Sequence, residues 1–287
     1  MITEGSVKLE FDMPEKVSKE LGVFYNPVMK LNRDISIEVL KIAGKDRPMR
    51  VALPLSGSGI RGLRFLKELP DTVRSVSFND HADDFATSLK KRLVLNGIDA
   101  DDDRVQISQS DANIFLLGSG GFDYIDIDPF GTPNPFLDAA VQRIARNGIL
   151  AVTATDTSAL AGTYADVCKR KYDAIPLRNW LKHVVGVRIL IRKVQLVGAQ
   201  YDKALYPVFS YAKDHYYRVF FRCVKSKDKC TEIVKSHQYL LYDKELFDYR
   251  YSQYSDLKEN KLISGKMWSG LLWEQPYAQM HDCPFCQ

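Results

Sequence analysis

The stretch MRVALPLSGSGIRG, residues 49–62, runs from a short apolar strand into a glycine-rich turn and then into a helix. Gly57, Gly59 and Gly62 fall on a G-x-G-x-x-G pattern. Glycines at these positions let backbone N–H groups approach a ligand closely. Asp80 lies 21 residues beyond Gly59, at the end of the next strand-like run. A carboxylate there accepts hydrogen bonds from both hydroxyls of a ribose. The pattern therefore points to a nucleoside-containing cofactor. Taken alone it fits a nicotinamide dinucleotide as well as S-adenosylmethionine.

Outward from this turn the chain alternates strand and helix from 49 to 156. Strands are expected at Met49–Leu55, Val73–Asn79, Val105–Ser110, Asp123–Ile127 and Ile149–Thr155. Helices are expected at Ile60–Leu69, about Ala82–Asn96 with Gly97 as its stop, and Pro135–Arg146 with Asn147-Gly148 as its stop. Such alternation specifies an α/β fold, a mainly parallel doubly wound sheet of Rossmann-like type covered on both faces. Asp80, Asp111, Asp128 and Asp156 stand at strand ends, where open α/β sheets bind ligands. A long helix is expected over Pro176–Gln200, then two strands, Pro207–Tyr211 and Tyr216–Val224, joined at Lys213-Asp214-His215. Beyond Val224 the pattern assigns little.

Asp128-Pro129-Phe130-Gly131 follows the buried-looking strand Tyr124–Ile127. Amino-methyltransferases hold an Asp/Asn-Pro-Pro-aromatic turn at this strand end. The nitrogen of an aryl amine is a poor nucleophile because its lone pair is delocalised into the ring. A carboxylate and a carbonyl that accept its two N–H bonds aim the lone pair and stabilise developing positive charge. Proline stiffens the turn, and the aromatic ring can stack on an extruded base. In company with the glycine loop and Asp80, the turn favours S-adenosylmethionine over a dinucleotide. Asp111-Ala112 is a candidate for the adenine, although Asp111 reads equally well as a helix N-cap.

The chain has 287 residues, 45% hydrophobic and 26% charged, with net charge +4. No apolar run is long enough to cross a bilayer, and the N-terminus lacks a basic-then-apolar signal pattern. A cytoplasmic protein with no membrane partner is expected. Cys168, Cys223, Cys230, Cys283 and Cys286 are an odd, scattered set, unlike a disulfide framework. The terminal CxxC supplies two ligands where structural zinc takes four, so no metal is assigned. Residues 151–235 carry 16 basic and 7 acidic side chains, net +9. That block, with Lys169-Arg170-Lys171, Arg188, Arg192 and Lys193, is the expected phosphate-facing surface.

Five ordered blocks resemble the tRNA (guanine-26, N2)-dimethyltransferases: Phe24-Tyr25-Asn26-Pro27 with Asn32-Arg33-Asp34; Ser58–Gly62; Phe78-Asn79-Asp80; Asp128–Pro133; and Ala154–Gly162. The likeness runs from about residue 4 to 224. It implies a class I methyltransferase fold, S-adenosylmethionine as donor, and tRNA rather than DNA as partner. The acceptor would be the guanine 2-amino group. Carried over by position, Gly57, Gly59, Arg33, Arg61, Asp80, Asp111 and Ala112 would hold the cofactor, the arginines pairing with its methionine carboxylate. Asp128 would be the catalytic carboxylate, with Pro129 beside it and Phe24 and Phe130 sandwiching the base. The family commonly carries a zinc-binding cysteine cluster and a further domain after the last strand; Tyr239–Tyr254 has no cysteine here. The expected organisation is a methyltransferase domain over 1–224, with an N-terminal extension to about 45, and a reduced C-terminal domain over 225–287. A methyltransferase acting on another RNA or DNA base, or an NAD-dependent oxidoreductase, are the alternatives.

Overall fold

The computed structural model describes residues 1–10, 25–243, 248–252 and 267–273. Strands β1 (Ile2–Glu4) and β2 (Val7–Leu9) form a hairpin turning at Gly5, where φ is 55°. A 3-10 turn (Pro27–Met29) leads into α1 (Lys30–Ala43). Then follow β3 (Met49–Leu53), α2 (Ile60–Glu68), β4 (Val73–Asn79), α3 (Phe85–Leu95), β5 (Val105–Ser108), α4 (Ala112–Leu117), β6 (Phe122–Ile127), α5 (Asn134–Arg143) and β7 (Ile144–Ala154). The remaining elements are α6 (Thr157–Leu160), α7 (Ala165–Tyr172), α8 (Lys182–Gln200), β8 (Lys203–Lys213), β9 (Tyr216–Lys225), α9 (Lys227–Lys235), β10 (His237–Asp243), β11 (Asp248–Ser252) and β12 (Met267–Trp273).

Seven strands form the large sheet, in the order β5-β4-β3-β6-β7-β9-β8. The pairs β3–β4, β3–β6 and β4–β5 are parallel, and β8–β9 is antiparallel. The mainly parallel, Rossmann-like sheet expected from the alternation is present. The chain divides into two compact units, one of residues 1–128 and 139–151, the other of residues 129–138 and 152–287.

In the first unit every residue of β6 is buried, which fits the apolar run of a central parallel strand. Full burial of Ile125 and Ile127 contributes about 1.5–3 kcal/mol each. Asp123, buried at the start of that strand, is held by Arg47 at 2.9 Å and Arg50 at 3.0 Å. Burial alone would raise its pKa; the Arg50 hydrogen bonds and both cations bring it below the usual range. Helix α2 lies close on β4 because Gly62 has no side chain: a Cβ there would meet Phe78 Cε1 at 2.2 Å. The hairpin is laced to the end of α3, where Asn96 accepts from Lys8 N at 2.7 Å and donates to Lys8 O at 2.8 Å.

In the second unit, β8 and β9 pair through the turn at Lys213–Tyr216, with Asp214 at φ 46°. Strand β10 pairs antiparallel with β11 and β12. Several boundaries depart from the sequence reading. Helix α8 begins at Lys182 rather than Pro176, because the Asn179 side chain turns the chain back onto Leu181 N at 2.8 Å. Asn147 does not follow a helix end. It sits inside β7 at φ 61°, so α5 stops at Arg143. The third strand ends at Ser108, and α1, α9 and β10 to β12 carry no clear signature in the sequence pattern. No helix among the described residues is long and apolar enough to cross a membrane.

Candidate functional site

The first unit gathers the polar ends of β3, β4, β5 and β6. Buried Asn79, the last residue of β4, organises three of them. Its side-chain amide donates to Pro54 O and Ser110 O, both at 3.0 Å, and its carbonyl accepts from Ser110 N at 3.1 Å. This fixes the glycine loop on one side of Asp80 and the Asp111 turn on the other. Gly57 and Gly59 take positive φ, 53° and 76°, which favours glycine over any residue with a Cβ. Gly57 N donates to Asp80 Oδ2 at 2.8 Å, and Ala82 N donates to Asp80 Oδ1 at 3.2 Å. The expected loop and carboxylate are thus in direct contact. Asp111 caps α4, accepting through Oδ1 from Asn113 N at 2.8 Å and Ile114 N at 3.1 Å. Ala112 is buried behind it.

At the end of β6, Asp128 pairs with Arg61 of α2. The Arg61 guanidinium is held on its other side by Asn32 Oδ1 and Ser36 Oγ, each at 2.8 Å, and stands 3.5 Å from Asp126 Oδ2. Asp126 accepts in turn from Tyr124 at 2.8 Å. Arg33 does not join this group. Its guanidinium forks onto Glu4 of the hairpin and also donates to Asn26 O at 3.1 Å. Glu4 further accepts from Arg64 at 2.9 Å and from the Tyr25 hydroxyl at 3.0 Å. Burial pushes the Glu4 carboxyl up, but the hydrogen bonds and charge of Arg33, with Arg64 and Tyr25, hold it below its ordinary range.

In the second unit Gly131, at φ 86°, is clasped by Thr155. Gly131 N donates to Thr155 Oγ1 at 2.5 Å, and Thr155 N donates back to Gly131 O at 2.9 Å. Phe130 on the same turn is 44% exposed. Asp156 accepts from the Tyr172 hydroxyl at 2.7 Å and from Lys171 at 3.2 Å. Burial and the nearby Asp156 charge raise the Tyr172 pKa, so the hydroxyl stays a donor to Asp156. It then accepts from Thr132 of the turn at 3.0 Å. Phe24 and the Cys283–Cys286 pair lie outside the described residues.

One part of the expected basic surface is corrected. Arg192 is buried and donates to the carbonyls of Tyr172 and Asp173, at 3.5 and 3.3 Å, so it faces the interior. Lys171 is drawn onto Asp156, and Lys169 onto Asp173 at 2.6 Å. The partners that sequence reasoning missed are Glu4, Asn32, Ser36, Asp126 and Tyr172. Asn32 and Tyr172 stood inside or beside quoted motifs; only contact reveals what they do.

The profile of the family described as TRM, N2,N2-dimethylguanosine tRNA methyltransferase, matches residues 5–281. The chain belongs to this family. The tRNA (guanine(26)-N(2)/guanine(27)-N(2))-dimethyltransferase of Aquifex aeolicus is 39% identical over 97% of this chain and 74% of its own length. The tRNA (guanine(26)-N(2))-dimethyltransferase of Methanobrevibacter smithii is 42% identical over 85% of this chain and 62% of its own. The chain thus spans between about three fifths and three quarters of these family members. Trm1 from Pyrococcus horikoshii, solved in complex with S-adenosyl-L-methionine, matches with TM-score 0.82 at 33% identity. It covers 96% of this chain and 73% of its own.

Proposed function

We propose that this chain transfers methyl groups from S-adenosylmethionine to the exocyclic 2-amino group of a guanine in tRNA, at position 26 as in its family members. The observation that carries the reading is the Arg61–Asp128 pair at the end of β6, directly before Pro129 and Phe130. Asp80 against the positive-φ glycine loop suits a ribose diol, Arg61 suits a carboxylate, and buried Ala112 suits a purine face. These donor and acceptor types fit S-adenosylmethionine. The bound cofactor supplies an electrophilic methyl on a sulfonium.

Gly57, Gly59, Asp80, Asp111 and Ala112 hold the nucleoside end, Asp111 in addition to capping α4. Arg61 receives the methionine carboxylate. Arg33 acts in that task only if it gives up Glu4. Asp128 accepts an N–H of the guanine amine, turns its lone pair outward and stabilises the positive charge that grows on nitrogen. Pro129 holds the turn, and Phe130 and Phe24 stack on the two faces of the base. Residues 1–224 form the methyltransferase domain, with 1–45 as its extension. The enzyme works in the cytoplasm on tRNA, not on DNA.

The test is mass spectrometry of nucleosides from unmodified tRNA incubated with the pure protein and S-adenosylmethionine. N2-methylguanosine or N2,N2-dimethylguanosine at a single guanine is expected. A methylated adenosine, or no methylated nucleoside, refutes the assignment.

A further inference from the structure

The second unit exposes large apolar side chains where a packed protein ordinarily hides them. Trp180 is 65% exposed, Tyr164 is 60% exposed and Ile175 is 44% exposed. All three fall within the segment from Gly162 to Lys182. The segment folds back on itself at Gly162, where φ is 87° and a Cβ would stand 3.2 Å from Arg178 N. Two residues beyond this contact stand Tyr164 on one run and Trp180 on the other. The Asx turn at Asn179, with Leu181 N on its carbonyl at 2.8 Å, directs the chain into α8 and leaves Trp180 outside.

The charge of the segment is one-sided. Arg170, Arg178 and Lys182 are exposed, and no carboxylate pairs with them among the described residues. Of the two acidic groups, Asp173 is already taken by Lys169, and Asp166 stands exposed in the first turn of α7. The segment is also fastened to the turn that carries Phe130. Tyr172 of α7 accepts from Thr132, and Asn134 donates to Lys171 O at 2.9 Å. Exposed aromatic faces interleaved with unpaired cations form a surface for nucleic acid: rings for unpaired bases, cations for phosphates. The one-sided positive charge of these residues suits a polyanion.

From these observations we infer that residues 162–182 are a tRNA-docking surface. Trp180 stacks on an unpaired base, and Arg170, Arg178 and Lys182 take backbone phosphates. The inference rests on tRNA being the substrate, and it names the part of the chain that grips it. None of these residues belongs to the cofactor or Asp128 machinery.

The test is a filter-binding titration of the full chain with unmodified tRNA over a salt series, the wild type first. Trp180→Ala weakens binding roughly tenfold, the size of one lost base stack. Trp180→Phe retains a ring face and stays within about threefold of the wild type. Arg178→Ala with Lys182→Ala flattens the slope of log affinity against log salt by about 2, since each lost phosphate contact removes about 0.9. S-adenosylmethionine affinity and Tm are unchanged in all variants, which separates docking from folding. Unchanged affinity and slope overturn the inference, as does Trp180→Phe behaving like Trp180→Ala. A change of oligomeric state in Trp180→Ala with tRNA affinity retained also overturns it and assigns the patch to a second copy of the chain. If the wild type itself neither binds nor methylates tRNA, the functional reading fails first, independently of this surface.

Discussion

Asp128→Asn separates the chemistry from the cofactor site. The substitution preserves shape and one acceptor oxygen but removes the charge. Arg61 then loses its ion pair, yet it retains Asn32, Ser36 and the more distant Asp126. Stripping a buried charge of every partner costs about 3–5 kcal/mol. With these neighbours left, about 1–2 kcal/mol is expected, a fall in Tm of a few degrees for a chain of this size. The loss in turnover is larger. Removing one preorganised group that stabilises developing charge costs about 100- to 1,000-fold, or roughly 2.7–4 kcal/mol. S-adenosylmethionine should bind at least as tightly as to the wild type, because Asp128 no longer competes with a ligand carboxylate for Arg61. The assay is single-turnover methylation of tRNA beside calorimetric titration of the cofactor. Wild-type turnover in Asp128→Asn refutes the assignment of the carboxylate. So does cofactor affinity falling in step with the rate, which would make Asp128 a binding residue only.

Three further outcomes follow from the same geometry. Asp80→Asn retains an acceptor for Gly57 N but gives up the charged contact, so cofactor Kd should rise about tenfold while kcat at saturation stays within twofold; steady-state kinetics over a cofactor series checks this. Glu4 has a folded-state pKa below its ordinary 4.5, so its contribution to stability is complete above that value and is lost as pH falls through the lowered one. Glu4→Gln, which leaves Arg33 and Arg64 without their shared carboxylate, should lower Tm at pH 7 by several degrees and flatten the acid limb of a Tm-versus-pH curve; an unchanged limb contradicts it. Tyr172→Phe removes the hydroxyl that joins Asp156 to Thr132 at a stability cost of about 1 kcal/mol, and it should lower kcat without changing cofactor Kd, as parallel thermal and kinetic measurements would report.

The candidate site was legible because its signals are local. Strand β4 ends where its apolar alternation ends, and the glycine loop, Asp80 and the Asp128 turn each sit within a few residues of a strand end. Helix α1 was hidden for a physical reason: its inward face is polar. Asn32, Arg33 and Ser36 are buried beside Ile37 and Leu40, whereas the apolar spacing Leu31, Ile35, Val39 and Ile42 falls on half-buried or exposed positions and does not mark the buried face. Asn147 misled because Asn-Gly usually closes an element, whereas here its positive φ is accommodated within β7. Glu4 could not be found by pattern. Its partners Arg33 and Arg64 are 29 and 60 positions away, and only the folded hairpin brings it between them.

That placement has a consequence for the chemistry. Arg33, Arg61 and Arg64 lie on neighbouring helices, and three guanidiniums together would repel a sulfonium and a nitrogen gaining positive charge. The fold divides them. Glu4, Asp34 and Glu68 bind Arg33 and Arg64, and Lys30 balances Asp34, so that network is formally neutral. Arg61 instead faces Asp126 and Asp128 at the end of β6. Carboxylates fixed beside a nitrogen that gains positive charge would lower the energy of a cationic transition state without reorganisation at the moment of transfer. With Asp128 as the proposed catalytic carboxylate, Glu4→Gln, which frees Arg33 and Arg64 on the helices beside it, should lower turnover as well as Tm; turnover unchanged while Tm falls would limit Glu4 to a structural role.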